Sequence, residues 1–251
     1  MKPAVVADVG NTRLKWGLCS DAGVVEMTSL AADDPGAWQH QFQHWKLAGT
    51  LAWAVSGVHP QRRDRLVEWL RLQGARVLVL DNPGQLPLRV LVDRPDRVGI
   101  DRLLGAVAAK SRMRPGISAV VVDAGTAITV DCIDAAGAFR GGAILPGLRL
   151  MAAALHEHTA LLPLLDSHSV SRPVFPGTST RAAIEAGIFW AAAGGVQALL
   201  HQRDAVTLAQ PLDVFLTGGD AGLLAPALAG THPPWPEMTL EGIRLAAETQ
   251  P

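Results

Sequence analysis

The chain has 251 residues, of which 49% are hydrophobic, with a formal net charge of −1 and a pI of about 6.7. This length and apolar content can bury a large core in one domain or two, and the near-zero charge excludes the basic surface of a nucleic-acid-binding protein. Glycine, proline or charge interrupts the apolar runs before they reach a membrane-spanning length, and Asp8 comes too early for a signal peptide. Cys19 and Cys132 lie far apart in apolar segments, which is typical of reduced thiols. We therefore expect a cytoplasmic globular protein that binds neither membrane nor nucleic acid.

Alternating and apolar runs predict the elements of the N-terminal half in chain order. Residues 4–9 and 13–19 read as two strands of a hairpin that turns at Gly10-Asn11-Thr12. A strand over 51–58 is followed by a helix after His59-Pro60. A strand over 75–81 and a helix over 99–113 complete this half, and the Arg-Pro-Gly run at 114–116 ends the helix.

The C-terminal half begins with residues 118–134, which read as two strands around a turn. Residues 177–201 form a long apolar helical stretch, and 212–220 read as a strand that ends in glycines and is followed by helices. The pattern predicts an α/β protein.

One sequence pattern occurs twice. "VVADVGNT" (5–12) and "VVVDAGT" (120–126) both read as an apolar strand, an aspartate, an apolar residue, a glycine and a threonine, offset by 115 positions. A repeated supersecondary unit indicates a duplicated fold of two α/β halves, which we place at 1–115 and 116–251.

The two Asp-x-Gly turns predict a phosphate clamp. Glycine lets phosphate approach main-chain N–H groups, threonine adds a hydroxyl, and a strand-end aspartate can hold hydrated Mg²⁺. Lys15 can reach a phosphate as a point charge. One such turn alone would be an ordinary hairpin, but two matched turns favour phosphate binding.

Three further segments are weaker signals on their own. In "VGIDRLLGA" (98–106), Asp101 fits the N-terminal dipole of a helix or serves as a general base, with Arg102 as an anion clamp. "LTGGD" (216–220) leaves room for an anionic or flat ligand, and the Thr178-Ser179-Thr180 run predicts a helix N-cap with hydroxyls left for substrate. "LHEH" (155–158) lacks the spacing of a zinc site.

Taken together and in order, these motifs resemble the type III pantothenate kinases of the actin/hexokinase/Hsp70-like superfamily. The resemblance runs over nearly the whole chain through the following stretches: "DVGNTRLK", "GIDR", "DAGTAITVD", "GGAILPG", "ALHEHTALLP", "GTST" and "TGGD". It implies two ribonuclease H-like, actin-like ATPase halves with a cleft between them.

The resemblance implies an ATP-dependent kinase that phosphorylates pantothenate, the first step of coenzyme A biosynthesis, and assigns the residues that bind ATP. Asp8 would lie near Mg²⁺, and Asp123 would help to bind a monovalent cation, K⁺ or NH₄⁺. The implied ATP-binding residues are Asp8, Val9, Gly10, Asn11, Thr12, Arg13, Leu14, Lys15, Thr126, Gly218 and Gly219.

The resemblance also implies the substrate site. Asp101 matches the catalytic base, and the pantothenate site would comprise Gly99, Ile100, Asp101, Arg102 and Thr180. The family is homodimeric, with pantothenate bound close to the subunit interface.

The chain departs from the family at two places in this site. The family usually has a tyrosine shortly before the Gly-Ile-Asp-Arg motif, near Val92 here, and this chain contains no tyrosine. Where many members have a Gly-Lys-Asn-Thr-like run, this chain has Gly-Thr-Ser-Thr at 177–180. Both changes affect the substrate pocket and leave the predicted phosphate turns intact.

Other functions fit parts of the sequence. A sugar kinase, an acetate kinase or a phosphatase could share the fold, although the Arg102 motif favours an acidic acceptor. A nucleotide-binding regulatory accessory protein with little kinase activity is a second alternative, against which the intact Asp8, Asp101 and Asp123 weigh. An actin-like filament subunit is a third, for which the chain is short.

Overall fold

A computed structural model describes residues 1–165, 173–202 and 211–251. The chain divides into two compact units: Met1–Arg112 together with Glu237–Pro251, and Met113–Pro236. The boundary after Arg112 lies three residues before the predicted boundary at residue 115. The assignment of the C-terminal segment differs from the predicted halves. Residues 237–251 belong to the first unit and not to the C-terminal half.

The first unit has a five-stranded sheet in the order β3-β2-β1-β4-β5. The antiparallel strands are β1 (Val5–Val9), β2 (Arg13–Ser20) and β3 (Gly23–Ala31), while β4 (Ala52–Gly57) and β5 (Arg76–Leu80) continue the sheet in parallel to β1. The helices are α1 (Pro35–His44), α2 (Pro60–Leu72), α3 (Ile100–Arg112) and α7 (Met238–Glu248).

One face of this sheet is covered by α1 and α2 and is rich in tryptophan. Trp16, Trp38 and Trp53 are fully buried in the same core cluster, and Trp69 packs against it. The Trp16 and Trp53 rings meet edge to face with centroids 5.0 Å apart, a favoured aromatic geometry. These tryptophans therefore build a core and do not form an exposed stacking platform.

The other face is covered by α7, which packs beside α3. A Cβ added at Gly17 would meet Leu240 of α7 at 3.2 Å, and a Cβ at Gly242 would meet the Leu104 carbonyl oxygen of α3 at 2.0 Å. Leu240, Ile243 and Ala246 are fully buried. Since this sheet face is apolar, it needs the α7 face to cover it, which explains why the last fifteen residues belong to the first unit.

A buried ionic cluster fixes α7 in place. Arg244 donates to both carboxylate oxygens of Glu241, at 2.9 and 2.6 Å, and to Glu248 at 2.6 Å. Glu241 also accepts from the Val24 N–H of β3 at 3.2 Å. Burial alone would raise the pKa of the Glu241 carboxyl, but the hydrogen bonds from Arg244 and Val24 outweigh it, so its pKa lies below the usual value.

The second unit holds a sheet of four strands within its described residues, in the order β8-β7-β6-β9. Its strands are β6 (Ser118–Ala124), β7 (Ala127–Ile133), β8 (Phe139–Pro146) and β9 (Leu212–Thr217). Its helices are α4 (Leu148–Glu157), α5 (Thr180–His201) and α6 (Ala221–Leu224). Side chains of α5 and α6 cover one face of this sheet, where Val122, Phe189 and Leu224 share a core cluster.

The two units repeat one topology, as the duplicated sequence pattern predicts. In each, a central strand pairs antiparallel with the strand that follows it and parallel with a later one: β1 with β2 and β4, and β6 with β7 and β9. The prediction of a duplicated α/β fold is confirmed.

Helix α5 qualifies the expectation that no segment reaches a membrane-spanning length. It has 22 residues and is long and apolar enough to cross a membrane by length and composition. Core helices pass the same test, and 44% of its most apolar window is buried within this fold. One face of α5 is apolar because it packs on the sheet of the second unit.

The sequence patterns find most element cores but omit four elements: β3, α1, β8 and α4. Strand β3 is at a sheet edge and β8 contains Gly141 and Gly142, so neither shows a clear alternation of apolar residues. The predicted strand over 212–220 ends at Thr217, because Gly218 turns the chain.

Cys19 and Cys132 are free, and burial raises the pKa of the Cys19 thiol to about 12.

Candidate functional site

The first Asp-x-Gly turn connects β1 to β2. The Gly10 N–H donates to the Arg13 carbonyl at 3.0 Å and closes a tight turn over Asn11 and Thr12. Asn11, Thr12 and Arg13 are exposed. Backbone N–H groups at such a turn can form an anion-binding concavity.

Asp8 lies one residue from the end of β1 in a row of three polar residues. In register it stands opposite Lys15 of β2 and beside Ser56 of β4. Because side chains alternate across a strand, Asp8 shares its face with Val6, which is the face that α7 covers. Lys15 shares this face too, so it belongs with Asp8 and is not on the opposite side of the sheet.

Two predicted ATP-binding residues of this turn have buried side chains. Val9 and Leu14 are each 1% exposed and belong to the tryptophan-rich core on the opposite sheet face. Their side chains are therefore not available to a ligand.

Gly57 allows β4 to end close against β1. A Cβ at this position would lie 2.3 Å from the Val9 carbonyl oxygen, a distance that no side chain tolerates. Sequence reasoning treated this segment only as a strand, although the Ser-Gly pair at its end was a readable signal.

The second turn repeats this arrangement in the second unit. Asp123 stands opposite Thr129 of β7 and beside Thr217 of β9. The Gly125 N–H donates to the Ala127 carbonyl at 3.1 Å, and Thr126 is exposed. Each unit thus has a strand-end aspartate between a residue of an antiparallel neighbour and a hydroxyl residue of a parallel neighbour.

Gly218 is the counterpart of Gly57. Its φ is +96°, and an added Cβ would lie 2.4 Å from the Ala124 carbonyl oxygen and 2.5 Å from an Asp123 carboxylate oxygen. The first glycine of the "TGGD" motif therefore lies directly against the aspartate of "DAGT".

Gly147 closes the other side of the second turn. Its N–H donates to the Thr126 carbonyl at 3.1 Å, and a Cβ would lie 2.3 Å from that same oxygen. Gly147 is the last residue of the "GGAILPG" motif, whose sequence alone predicts no role for it. Its role is to let the start of α4 approach the turn.

Asp220 is a candidate residue that the sequence analysis missed. Its N–H donates to the Ala124 carbonyl at 2.9 Å, which places it beside the second turn. Burial raises the pKa of its carboxyl, and the Arg149 charge opposes that rise without cancelling it. Perturbed carboxyl groups in a ligand site are candidates for function.

Asp101 lies in the first turn of α3, in the first unit. Its carboxylate accepts a 2.8 Å hydrogen bond from the Arg102 N–H, and a Cβ at Gly99 would lie 2.6 Å from the same carboxylate oxygen. Asp101, Gly99 and Arg102 are half-buried, while Ile100 is buried at 8% exposure. The glycine thus gives the carboxylate room at the helix start.

Thr180 is the first residue of α5 and is exposed. Ser179 is the N-cap, with its side chain accepting from the Ala182 N–H at 3.2 Å. The prediction that one hydroxyl of this run caps the helix is confirmed, and the Thr180 hydroxyl is not the capping group.

The structure brings the predicted residues into two clusters, each within its own unit. In the first unit, residues 8–15 form one cluster, and Asp101 lies elsewhere in that unit. In the second, Asp123, Thr126 and Gly218 lie together, with Gly219 following, and Thr180 lies at the start of α5.

The donor groups fit cations that are bound mainly through water and ligand oxygens. Among residues 1–165, 173–202 and 211–251, no three His, Cys, Asp or Glu side chains are grouped to hold a metal. Mg²⁺ is commonly held by one or two carboxylates together with water and substrate phosphates, and half-buried Asp8 fits that role. Asp123, with carbonyl oxygens of its turn nearby, offers oxygen donors suited to a monovalent cation.

Sequence comparison identifies one family. A profile of the type III pantothenate kinase family matches residues 4–202. The chain is 38% identical to a type III pantothenate kinase from Acidiphilium cryptum, over 98% of this chain and 95% of that protein. It is 35% identical to one from Akkermansia muciniphila, over 97% of each chain.

Solved structures show the same fold at low identity. A putative 2-dehydro-3-deoxygalactonokinase from Sinorhizobium meliloti superposes with a TM-score of 0.60 at 15% identity, covering 97% of this chain and 98% of that one. This likeness confirms the predicted actin-like ATPase and sugar kinase fold class. The sequence matches show that the chain belongs to the type III pantothenate kinase family.

Proposed function

We propose that the protein transfers the γ-phosphoryl group of ATP to the 4′-hydroxyl of pantothenate, the first step of coenzyme A biosynthesis. Family membership supports the reaction, and one structural observation carries the proposal. Each unit has a strand-end aspartate, an exposed Gly-containing turn and a glycine that packs against the residue after the aspartate. This repeated unit suits a ligand with several phosphates.

In this proposal the first turn binds phosphate oxygens of ATP. The Gly10 N–H closes the turn, the exposed residues Asn11 and Thr12 supply N–H donors, and Lys15 supplies a positive charge beside Asp8. Asp8 would hold Mg²⁺ through water. The cation, when bound, neutralises charge on the triphosphate.

The second turn binds the remainder of the nucleotide. Thr126 would contact phosphate, and Gly218 and Gly219 would leave space for the adenosine. Asp123 would hold K⁺ or NH₄⁺, which adds positive charge near the phosphates.

Asp101 acts as the general base in the proposed reaction, taking the proton of the 4′-hydroxyl. Its second carboxylate oxygen is available for this because the Arg102 N–H bond uses only one oxygen. The Arg102 side chain would pair with the pantothenate carboxylate, and Gly99, Ile100 and Thr180 would line the substrate site. Phosphoryl transfer depends mainly on positioning and charge, which suits a site without a nucleophile.

The protein would act as a homodimer. The exposed face of α5 presents small residues and one large ring: Ala183, Gly187, Trp190, Ala191 and Gly194. Phe175, which is 79% exposed, lines an apolar hollow with Gly187 and Trp190. A second copy of this chain would cover this apolar surface, and Thr180 at the end of the same helix would bring the substrate site close to the interface.

Cellular location follows from the same proposal. The two free thiols, Cys19 and Cys132, fit a reducing compartment. We place the enzyme in the cytoplasm, and we expect no membrane or nucleic acid partner.

The competing proposal is a nucleotide-binding accessory protein with little kinase activity. The curated relatives are named as kinases, which favours the enzyme. A binding protein would also not need the half-buried carboxylate of Asp101 at the start of α3.

The test is an ATP-dependent assay with pantothenate as acceptor. Purified protein is supplied with Mg²⁺ and ATP in a sodium buffer, with K⁺ or NH₄⁺ added in parallel reactions, and phosphopantothenate is measured. We expect product that increases with the added monovalent cation. No product under any of these conditions would favour the accessory protein.

A further inference from the structure

Arg62 connects three segments around the first phosphate turn. It lies in the first turn of α2, where its N–H donates to the His59 ring that caps the helix at 3.4 Å. One guanidinium nitrogen donates to the Asn11 carbonyl oxygen within the turn. Another pairs with Asp33, after β3, at 2.7 Å.

The contact with Asn11 matters because the turn itself is exposed. Asn11, Thr12 and Arg13 all face solvent, and an exposed three-residue segment samples several conformations unless it is fixed. The Asn11 carbonyl shares one peptide plane with the Thr12 N–H, so holding that carbonyl in one direction also fixes the direction of the Thr12 N–H.

We propose that Arg62 is a positioning residue for the first phosphate turn, held in place by Asp33, and that it sets the affinity for Mg·ATP. The inference rests on the proposed function, since it assumes that the turn binds phosphate. Arginine suits the role because its planar guanidinium can address two partners in fixed directions at once.

The surroundings argue that Arg62 orients the turn and does not itself bind phosphate. It lines a hollow of about 540 Å³ together with Thr12, Arg13 and the carboxylates of Asp33 and Asp34. The two carboxylates balance the charges of Arg13 and Arg62, so the hollow offers phosphate no net positive charge. The positive charge of Arg62 is already paired with Asp33. Its guanidinium contacts the turn through the Asn11 carbonyl oxygen, a contact that orients the backbone.

The role is separable from folding because the ion pair is partly exposed to solvent. The Arg62 side chain is 27% exposed and that of Asp33 is 51% exposed. Ion pairs of this kind contribute little to stability.

The experiment compares Arg62→Ala with Arg65→Ala. Arg65 lies on the same helix and reaches the same Asp33 at 3.8 Å, so it is a matched control without the contact to Asn11. Binding of Mg·ATP is measured by titration calorimetry, and kcat and KM are measured for each substrate. We expect Arg62→Ala to weaken the Kd for Mg·ATP by about tenfold, the size of one charge-assisted hydrogen bond, with an unchanged KM for pantothenate.

Arg62→Lys and Asp33→Asn test how the residue acts. Lysine keeps the positive charge but lacks the planar guanidinium that addresses two partners at once. We therefore expect the Kd of Arg62→Lys for Mg·ATP to lie between those of the wild type and Arg62→Ala. If Asp33 acts through Arg62, Asp33→Asn weakens the Kd, and the double variant Asp33→Asn/Arg62→Ala binds no more weakly than Arg62→Ala alone. The unfolding temperature of each variant should stay within about 2 °C of wild type.

Several outcomes would overturn the inference. These are equal Kd values for Arg62→Ala and Arg65→Ala, an equal rise in the KM for both substrates, or additive effects of the Asp33 and Arg62 changes. A wild type that binds Mg·ATP but does not phosphorylate pantothenate would overturn the proposed function alone, because the comparison of Kd values still holds.

Discussion

At the scale of single residues, the two Asp-x-Gly turns, which we propose bind phosphate, depend on backbone contacts that only glycine permits. Gly57 packs against the Val9 carbonyl, and Gly218 packs against the Ala124 carbonyl. In both units the affected residue directly follows the strand-end aspartate. A side chain at either glycine would push that aspartate and its turn out of place.

Gly218→Ala should destabilise the second unit and weaken nucleotide binding. Its φ of +96° is unfavourable for alanine, and the new Cβ would lie 2.4 Å from a backbone oxygen. We expect a loss of about 2 kcal/mol in unfolding free energy, measured by urea titration. Gly222→Ala is the control, since a Cβ there has no heavy atom within 4 Å. Equal midpoints for the two variants would contradict the close-packing argument.

Asp101→Asn separates a catalytic role from a structural one. Asparagine keeps an oxygen that can accept from the Arg102 N–H, so the start of α3 is preserved. Loss of the base should lower kcat by about 10²- to 10⁴-fold with the Kd for Mg·ATP retained. The measurement is steady-state turnover beside calorimetric binding. Turnover close to wild type would mean that Asp101 is only a helix-terminal carboxylate.

At the scale of elements, α7 packs against α3, whose first turn carries the proposed base Asp101. The two helices meet where Gly242 touches the Leu104 backbone. The Arg244–Glu241 pair then ties α7 to β3 through the Val24 N–H. Helix α7 therefore helps to position the start of α3, where part of the proposed substrate site lies.

Gly242→Ala should move α3 away from α7. The added Cβ would lie 2.0 Å from the Leu104 carbonyl oxygen, and both partners are backbone atoms of buried helices. We expect a loss of about 2–3 kcal/mol in unfolding free energy and a higher KM for pantothenate, measured by urea titration and steady-state kinetics. A variant with unchanged stability and KM would show that the helices separate without cost.

The Glu241–Arg244 pair predicts a pH dependence of stability. The pKa of Glu241 is below its ordinary value in the folded protein, so its contribution is complete above the unfolded pKa and is lost as the pH falls through the folded pKa. The urea midpoint should therefore decrease between about pH 5 and the acid limit of folding. Glu241→Gln should lower stability at pH 7 and reduce this slope. If the urea midpoint of the variant falls with pH as steeply as that of the wild type, the loss of stability in acid comes from other carboxyl groups.

At the scale of the whole molecule, the exposed face of α5 is the feature that the core does not explain. Trp190 is 38% exposed and lies among glycine and alanine positions. The proposed dimer would bury this face.

Trp190→Glu tests the dimer directly. A carboxylate placed in an apolar interface costs free energy that the contact cannot recover, so we expect a monomer by light scattering at micromolar concentration where the wild type is a dimer. Leu72→Glu is the control, because Leu72 is a 79% exposed apolar residue of the other unit. A monomeric wild type, or a variant that stays dimeric, would contradict this interface.

Much of the fold was readable because its signals are local. The alternation at 13–19 predicted β2, and the repeated Asp-x-Gly pattern predicted the duplicated topology. Strand β3 and helix α7 were harder to place, because an edge strand has a weak pattern and a helix sequence does not say which sheet it covers. The candidate site shows the same division: the turns were predicted, whereas Arg62 and Gly147 were not.

The sequence by itself determined the two Asp-x-Gly turns and the helix that carries Asp101, because each depends on residues close together in the chain, and the ordered set of such local motifs indicated the family. The tertiary structure decided that α7 completes the first unit, that Gly218 touches Asp123, and that Arg62 reaches Asn11. These contacts join residues that are far apart in the chain. They arise only when apolar surfaces are buried against each other, and no local pattern encodes that step.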